Sequence, residues 1–167
     1  MGPEIEGSTT TAFPLWTHTH TILSCKTAIG WIVNSLSLSI IVYFGTALTF
    51  TILSKSNEIV GVNIVPGLQT AINSLYKTTA KLPKIDIKLP DKVIGKNTIH
   101  SIQSGIMFGY VGLIKEMIIK IKGELSGSTK VVATGGLSKF AKPLAGVFND
   151  IIPTLTLDGM LKILDNY

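Results

Sequence analysis

Between residues 27 and 54 the chain carries 28 consecutive positions without a charged side chain. About 20 apolar residues suffice to span a bilayer as a helix, so this stretch must be either a membrane span or a buried element of a folded domain. Its internal order favours the second reading. Asn34-Ser35-Leu36-Ser37-Leu38-Ser39 alternates polar with apolar, Ile40 to Phe44 is β-branched and aromatic, and Ala47 to Leu53 alternates again. Alternation of period two belongs to a half-buried strand, and two such runs meeting at Gly45-Thr46 predict a β-hairpin. A membrane protein spanning about 28–53 is the competing reading.

Charge is concentrated elsewhere. The 15 basic residues are all lysines, set against 10 acidic ones for a net charge of +5. Without arginine the chain lacks the planar fork that grips carboxylate, phosphate or guanine with two parallel hydrogen bonds. Any anion site must use lysine, hydroxyls or backbone N–H groups. Lys77, Lys81, Lys84, Lys88, Lys92 and Lys96 form a ladder almost without interleaved aromatics, which reads as a solvated face rather than a nucleic-acid groove. Cys25 stands alone, so no internal disulfide can form. His18 and His20 have no third ligand in view, and no metal site is expected. Glu4 and Glu6 occupy the place where a signal peptide is basic.

The 167 residues fit one domain. Residues 1–36 show no clear period and form a segment of unassigned structure; 37–167 form the domain proper. Strands are expected at about 38–44 and 47–54, and a third at Ile59–Val65, together a three-stranded antiparallel meander. Leu68 to Lys81 has helical spacing, and Leu82 to Pro90 is an extended connector. A long helix from Ile99 places Ile102, Ile106, Tyr110, Leu113, Met117, Ile121 and Leu125 on one stripe. Gly105, Gly109 and Gly112 within it suggest close approach of another element. Lys130–Thr134 reads as a strand running into Gly135-Gly136, with helices at Ser138–Leu144 and Leu157–Leu164. The class is α/β.

Taken singly, the candidate features are weak. Gly45-Thr46 could offer a phosphate a backbone N–H and a hydroxyl, but is equally a turn. Thr134-Gly135-Gly136 could let a flat ligand lie on the backbone, but is equally a strand-to-helix turn. Thr98 is read as the N-cap of the long helix.

In their order, however, these fragments resemble type III pantothenate kinases: Phe44-Gly45-Thr46-Ala47-Leu48-Thr49-Phe50, then Gly61 to Gly67, then Gly95-Lys96-Asn97-Thr98 with Gln103-Ser104-Gly105 and Gly109-Tyr110, then Ala133-Thr134-Gly135-Gly136, and last Pro153 to Gly159. The resemblance implies an actin-like, ribonuclease H-like fold of two similar halves, of which this chain is the C-terminal one. It implies a cytoplasmic homodimer in coenzyme A synthesis that transfers the γ-phosphoryl of ATP to pantothenate with a divalent metal and a monovalent cation. Gly45, Thr46, Gly135 and Gly136 would then bind ATP, and Thr98 would hydrogen-bond pantothenate. No nucleic-acid or membrane partner is implied.

The departures from that pattern are specific. The family's first half, with its Asp-x-Gly-Asn-Thr phosphate loop, has no counterpart. The catalytic Asp falls nearest Thr9, and threonine does not titrate near neutral pH as a general base must. The Asp that ligates the monovalent cation is Tyr43, which removes an anionic oxygen. Leu48 replaces a Thr, Thr51 an Asp and Val62 a Gly. The expectation is a truncated or degenerate kinase half without turnover of its own. A non-catalytic dimerisation module derived from the same fold is the alternative.

Overall fold

The computed structural model describes residues 37–79, 82–144 and 146–165. Strands β1 (Leu38–Phe44), β2 (Ala47–Leu53) and β3 (Ile59–Pro66) are joined by short turns. Helix α1 (Leu68–Thr78) follows, then a connector without regular structure, then the long helix α2 (Thr98–Glu124). Strand β4 (Thr129–Thr134), a 3-10 segment (Ser138–Leu144), strand β5 (Asp150–Ile151) and helix α3 (Leu155–Leu164) complete the described chain. The uncharged stretch therefore contains two strands from residue 38 onward; its positions 27–36 lie outside the described residues, as do all of 1–36.

The five strands form one mixed sheet in the order β3-β2-β1-β4-β5. β1 pairs antiparallel with β2 and parallel with β4, β2 pairs antiparallel with β3, and β4 pairs parallel with β5. A parallel neighbour requires a crossover, and α2 supplies it between β3 and β4. The strands' period of two sorts their side chains. Ile40, Val42, Phe44, Leu48, Phe50, Ile52, Val131 and Ala133 pack on one face with Met107, Ile114, Ile118 and Ile121 of α2. Ile41, Leu53 and Val132 face the other way and meet Leu155 of α3. Phe44 and Phe148 close the first core edge to face, with centroids 6.3 Å apart.

Several expectations are corrected. The helix expected at Ser138–Leu144 forms with those bounds as a 3-10 helix, and Pro143 within it has no N–H to donate. α1 stops at Thr78, short of Lys81, and α3 begins two residues before Leu157. β5 was not anticipated; Asn149 builds it by exchanging backbone and side-chain hydrogen bonds with Val131 at 2.8 Å, and the Lys130–Asp150 ion pair at 3.0 Å braces it. The expected stripe of α2 does face the core, with Ile121 buried and Ile106, Tyr110, Leu113, Met117 and Leu125 partly buried against it, but the most deeply buried line also takes in Met107, Ile114 and Ile118 beside it. Apolar neighbours such as Ile106-Met107 and Met117-Ile118 make the helix apolar on a broad arc, so spacing alone could not choose between them. α2 is also long and apolar enough to cross a membrane by length and composition. Lys84, Lys88, Lys92 and Lys96 are exposed, as a solvated face requires.

Candidate functional site

The glycine-rich fragments converge at one end of the sheet, where β1 and β4 finish side by side with Tyr43 opposite Thr134. The β1–β2 turn is held from outside. The carbonyl of Thr46 accepts from Gly67 N at 2.9 Å and from Thr70 Oγ1 at 2.7 Å, which pins the turn to the start of α1. Gly67 is glycine for want of room, since a Cβ there would press into the carbonyls of Gly45 and Thr46. With its backbone so fixed, Thr46 turns an exposed side chain to solvent.

The β4 end reaches the same place from the other side. Gly135 sits at φ 99°, a left-handed value that penalises any side chain, and a Cβ would lie 2.7 Å from the Phe44 carbonyl. That carbonyl accepts from Leu137 N at 3.3 Å, and Ser138 N donates to Gly135 O at 3.0 Å. Phe44, Gly45, Leu48, Gly67, Leu68 and Leu137 line a narrow crevice between the two turns. Gly136 differs from its neighbour: among the described residues, nothing would lie within 4 Å of a Cβ there. Packing within the chain explains Gly135 and Gly67 but leaves Gly136 with an open face.

Tyr43 stands at the edge of this cluster, half-buried, with its ring against the Cα of Gly45. Beneath the turn, Tyr110 of α2 donates its hydroxyl to the Pro66 carbonyl at 2.5 Å, and burial pushes its phenol above the usual value. The hydroxyls of Thr134 and Ser138, on either side of the glycine pair, are buried and have no hydrogen-bond partner among the described residues.

Thr98 is not brought into the cluster. It is exposed in the first turn of α2, about 18 Å along the helix axis from Tyr110 at about 1.5 Å per residue. Nor is it the N-cap: that position is Asn97, whose Oδ1 accepts from His100 N at 2.9 Å. Thr9 lies outside the described residues. Gln103 and Ser104 have a structural task that spacing did not suggest. Gln103 Nε2 donates to Asp86 O at 3.1 Å, Ser104 Oγ to Val93 O, and His100 Nε2 to Lys92 O at 3.0 Å, so three side chains of α2 tether the connector. Gly105, Gly109 and Gly112 are exposed, and among the described residues nothing lies within 4 Å of where a Cβ on them would sit. Among the described residues, no group of three or more His, Cys, Asp or Glu could hold a metal ion.

This arrangement of turns around open glycines coincides with a family match. The sequence profile of type III pantothenate kinase covers residues 27–120. The chain belongs to the type III pantothenate kinase family. A type III pantothenate kinase of Dehalococcoides mccartyi (strain CBDB1) is 45% identical over 121 residues, which are 72% of this chain and 46% of the relative. That of Citrifermentans bemidjiense is 43% identical over 121 residues, again 72% of this chain and 48% of the relative. The chain thus spans about half the length of the curated relatives it matches. A solved structure from Campylobacter jejuni, described as a Baf family transcriptional activator, superposes with a TM-score of 0.51 at 22% identity over 83% of this chain and 61% of its own, a likeness of fold.

Proposed function

We propose that this chain is the C-terminal, nucleotide-contacting half of a type III pantothenate kinase of actin-like, ribonuclease H-like fold, and that it does not turn over by itself. The observation that carries the reading is the convergence of Gly45-Thr46 and Gly135-Gly136, with Gly136 exposed. In the whole reaction the γ-phosphoryl of ATP passes to a hydroxyl of pantothenate. Such transfer depends on positioning and charge stabilisation more than on covalent chemistry by the protein. Here the fixed turn would present Thr46 Oγ1 and backbone N–H groups to the phosphates, while Gly136 lets the nucleotide lie against bare backbone.

The residue at the monovalent-cation position does not fit that ion. That position holds Tyr43, whose side chain has no carboxylate oxygen to offer a cation, and its ring covers Gly45 instead. Together with a Thr at the place of the catalytic base, this is the basis for a half that binds nucleotide and leaves chemistry to a complete site in the cytoplasm.

Titration of the full chain with ATP tests the reading. Binding that Gly136→Val weakens at least ten-fold is expected, and absence of binding rejects it. In a coupled assay with ATP and pantothenate no turnover is expected; turnover abolished by Thr98→Ala would overturn the inactivity. A second reading, a homodimeric interaction module, is favoured by one observation. Gly105, Gly109 and Gly112 lie exposed along α2, leaving its backbone open to close approach by another copy. Light scattering separates the two, since a strict monomer counts against the dimer.

A further inference from the structure

We propose that a cavity between β3 and the last turns of α2 is a binding site for a free apolar amino acid, held as its zwitterion. The cavity has a volume of about 430 Å³, toward the small end of the roughly 300–1,000 Å³ of ligand sites. It lies toward the opposite end of the sheet from the glycine turns. Ile52, which lines it, follows Leu48 by four positions of β2, about 14 Å at about 3.4 Å per residue. The proposal therefore stands apart from the nucleotide reading.

The strand sequence opens this space. Residues directly opposite in an antiparallel pair share a face, and Val65, Asn63 and Gly61 lie opposite Leu48, Phe50 and Ile52. That is the face α2 covers, where Leu48, Phe50 and Ile52 are buried. Val65 packs against this core, but the next two positions on the same face carry an amide and no side chain at all. Among the described residues, nothing lies within 4 Å of where a Cβ on Gly61 would sit. Where alternation would set an apolar side chain beneath α2, the strand leaves a hollow, floored by the buried Ile52 and Ile121.

The helix supplies the recognition. Met117, Lys120, Ile121 and Glu124 are spaced by three, one and three, on one helical face, and all four line the cavity. Two opposite charges thus stand at its rim one turn apart, and neither is committed to the fold. Lys120 reaches Glu116 at 3.6 Å, with the two side chains 73% and 61% exposed, an ion pair of little worth. Glu124 has no ion-pair partner among the described residues. It also closes the last turn of α2, where the helix dipole disfavours an acid. An ammonium group offsets that charge, and a carboxylate engages Lys120. A free amino acid carries both groups on one carbon, and its apolar side chain enters the hollow over Gly61. Other ligands leave a charge unmatched. A simple amine has nothing for Lys120, a fatty acid meets Glu124, and a phosphate meets that same carboxylate with one lysine to hold it.

Calorimetric titration of the full chain with L-leucine and L-phenylalanine tests the proposal. Saturable binding is expected. Isoamylamine, which is leucine without its carboxylate, and 4-methylpentanoate, which lacks the ammonium, should each bind about ten-fold more weakly or worse, the usual loss for one charged hydrogen-bonding partner. Lys120→Gln should weaken leucine but not isoamylamine, and Glu124→Gln should weaken leucine but not 4-methylpentanoate. Gly61→Leu places a side chain where the ligand's would lie, and should abolish binding without lowering the melting midpoint. If that variant is unstable, the two exposed rim positions decide, since neither substitution removes a buried contact. Absence of saturable binding for both amino acids overturns the proposal. So does an analogue that binds as tightly as leucine, binding that survives Gly61→Leu, or binding indifferent to both rim variants.

Discussion

The hydroxyl of Tyr110, midway along α2, donates to the carbonyl of Pro66 at the end of β3, 44 positions earlier in the chain. This one bond links the crossover helix to the strand end from which Gly67 and the Thr46 turn are hung. Tyr110→Phe removes it and keeps the ring, so stability at neutral pH should fall by about 1 kcal/mol. Above pH 10 that advantage should shrink. Burial raises the native phenol above its ordinary value of 10.0, so there the unfolded chain loses the proton first and binds fewer protons than the native one. Stability contributed by Tyr110 then declines as pH rises. Urea midpoints at pH 7 and at pH 10 to 11 should show a steeper alkaline decline in the parent chain than in Tyr110→Phe; parallel declines would count against this account.

Gly135 and Gly136 are neighbours with opposite sensitivities. Alanine at 135 must hold φ near 99° with its methyl against the Phe44 carbonyl, a cost on the order of 1–3 kcal/mol. Alanine at 136 enters open space and should alter stability by less than about 0.5 kcal/mol. Denaturant titration of the two variants checks the contrast, and equal losses would refute it.

Thr134 and Ser138 each keep a buried hydroxyl without a partner. Leaving such a group unpaired costs about 1–3 kcal/mol, so Thr134→Val, which preserves shape, should match or exceed the parent in stability. A drop of more than about 1 kcal/mol in guanidinium melts would mean the hydroxyl is satisfied after all.

Ser104→Ala should act locally. Its hydroxyl holds the Val93 carbonyl from a buried position, so its loss frees the stretch before α2 while the sheet stays intact. Hydrogen exchange should quicken around residues 91–97 with little change in β1 or β4; uniform acceleration would sink the local reading.

Most of the architecture was legible because it rests on local rules. Alternation from Leu38 to Leu53 with Gly45-Thr46 between its runs specifies the hairpin, and the glycine pair after Thr134 marks the end of β4. What stayed hidden depends on contacts distant in sequence. β5 is two residues long and exists because Asn149 bonds Val131, 18 positions away. The tethers from His100, Ser104 and Gln103 reach carbonyls 8, 11 and 17 positions back, and such side-chain-to-backbone bonds leave no periodic trace. A hydroxyl such as that of Thr98 often serves as a cap, yet Asn97 is an equally good acceptor one step earlier. At the site, each turn was visible as a turn, but their meeting followed only from β1 and β4 lying parallel.

That parallel pairing has a mechanical result. β1 sits mid-sheet, bonded on one side to β2 and on the other to β4, which arrives only after the exposed lysines at 84, 88, 92 and 96. A trypsin cut in that connector would sever the polypeptide without separating its two pieces, because the seam between them runs through the sheet's own hydrogen bonds. Denaturing gels should then show two fragments where a native sizing column shows one body.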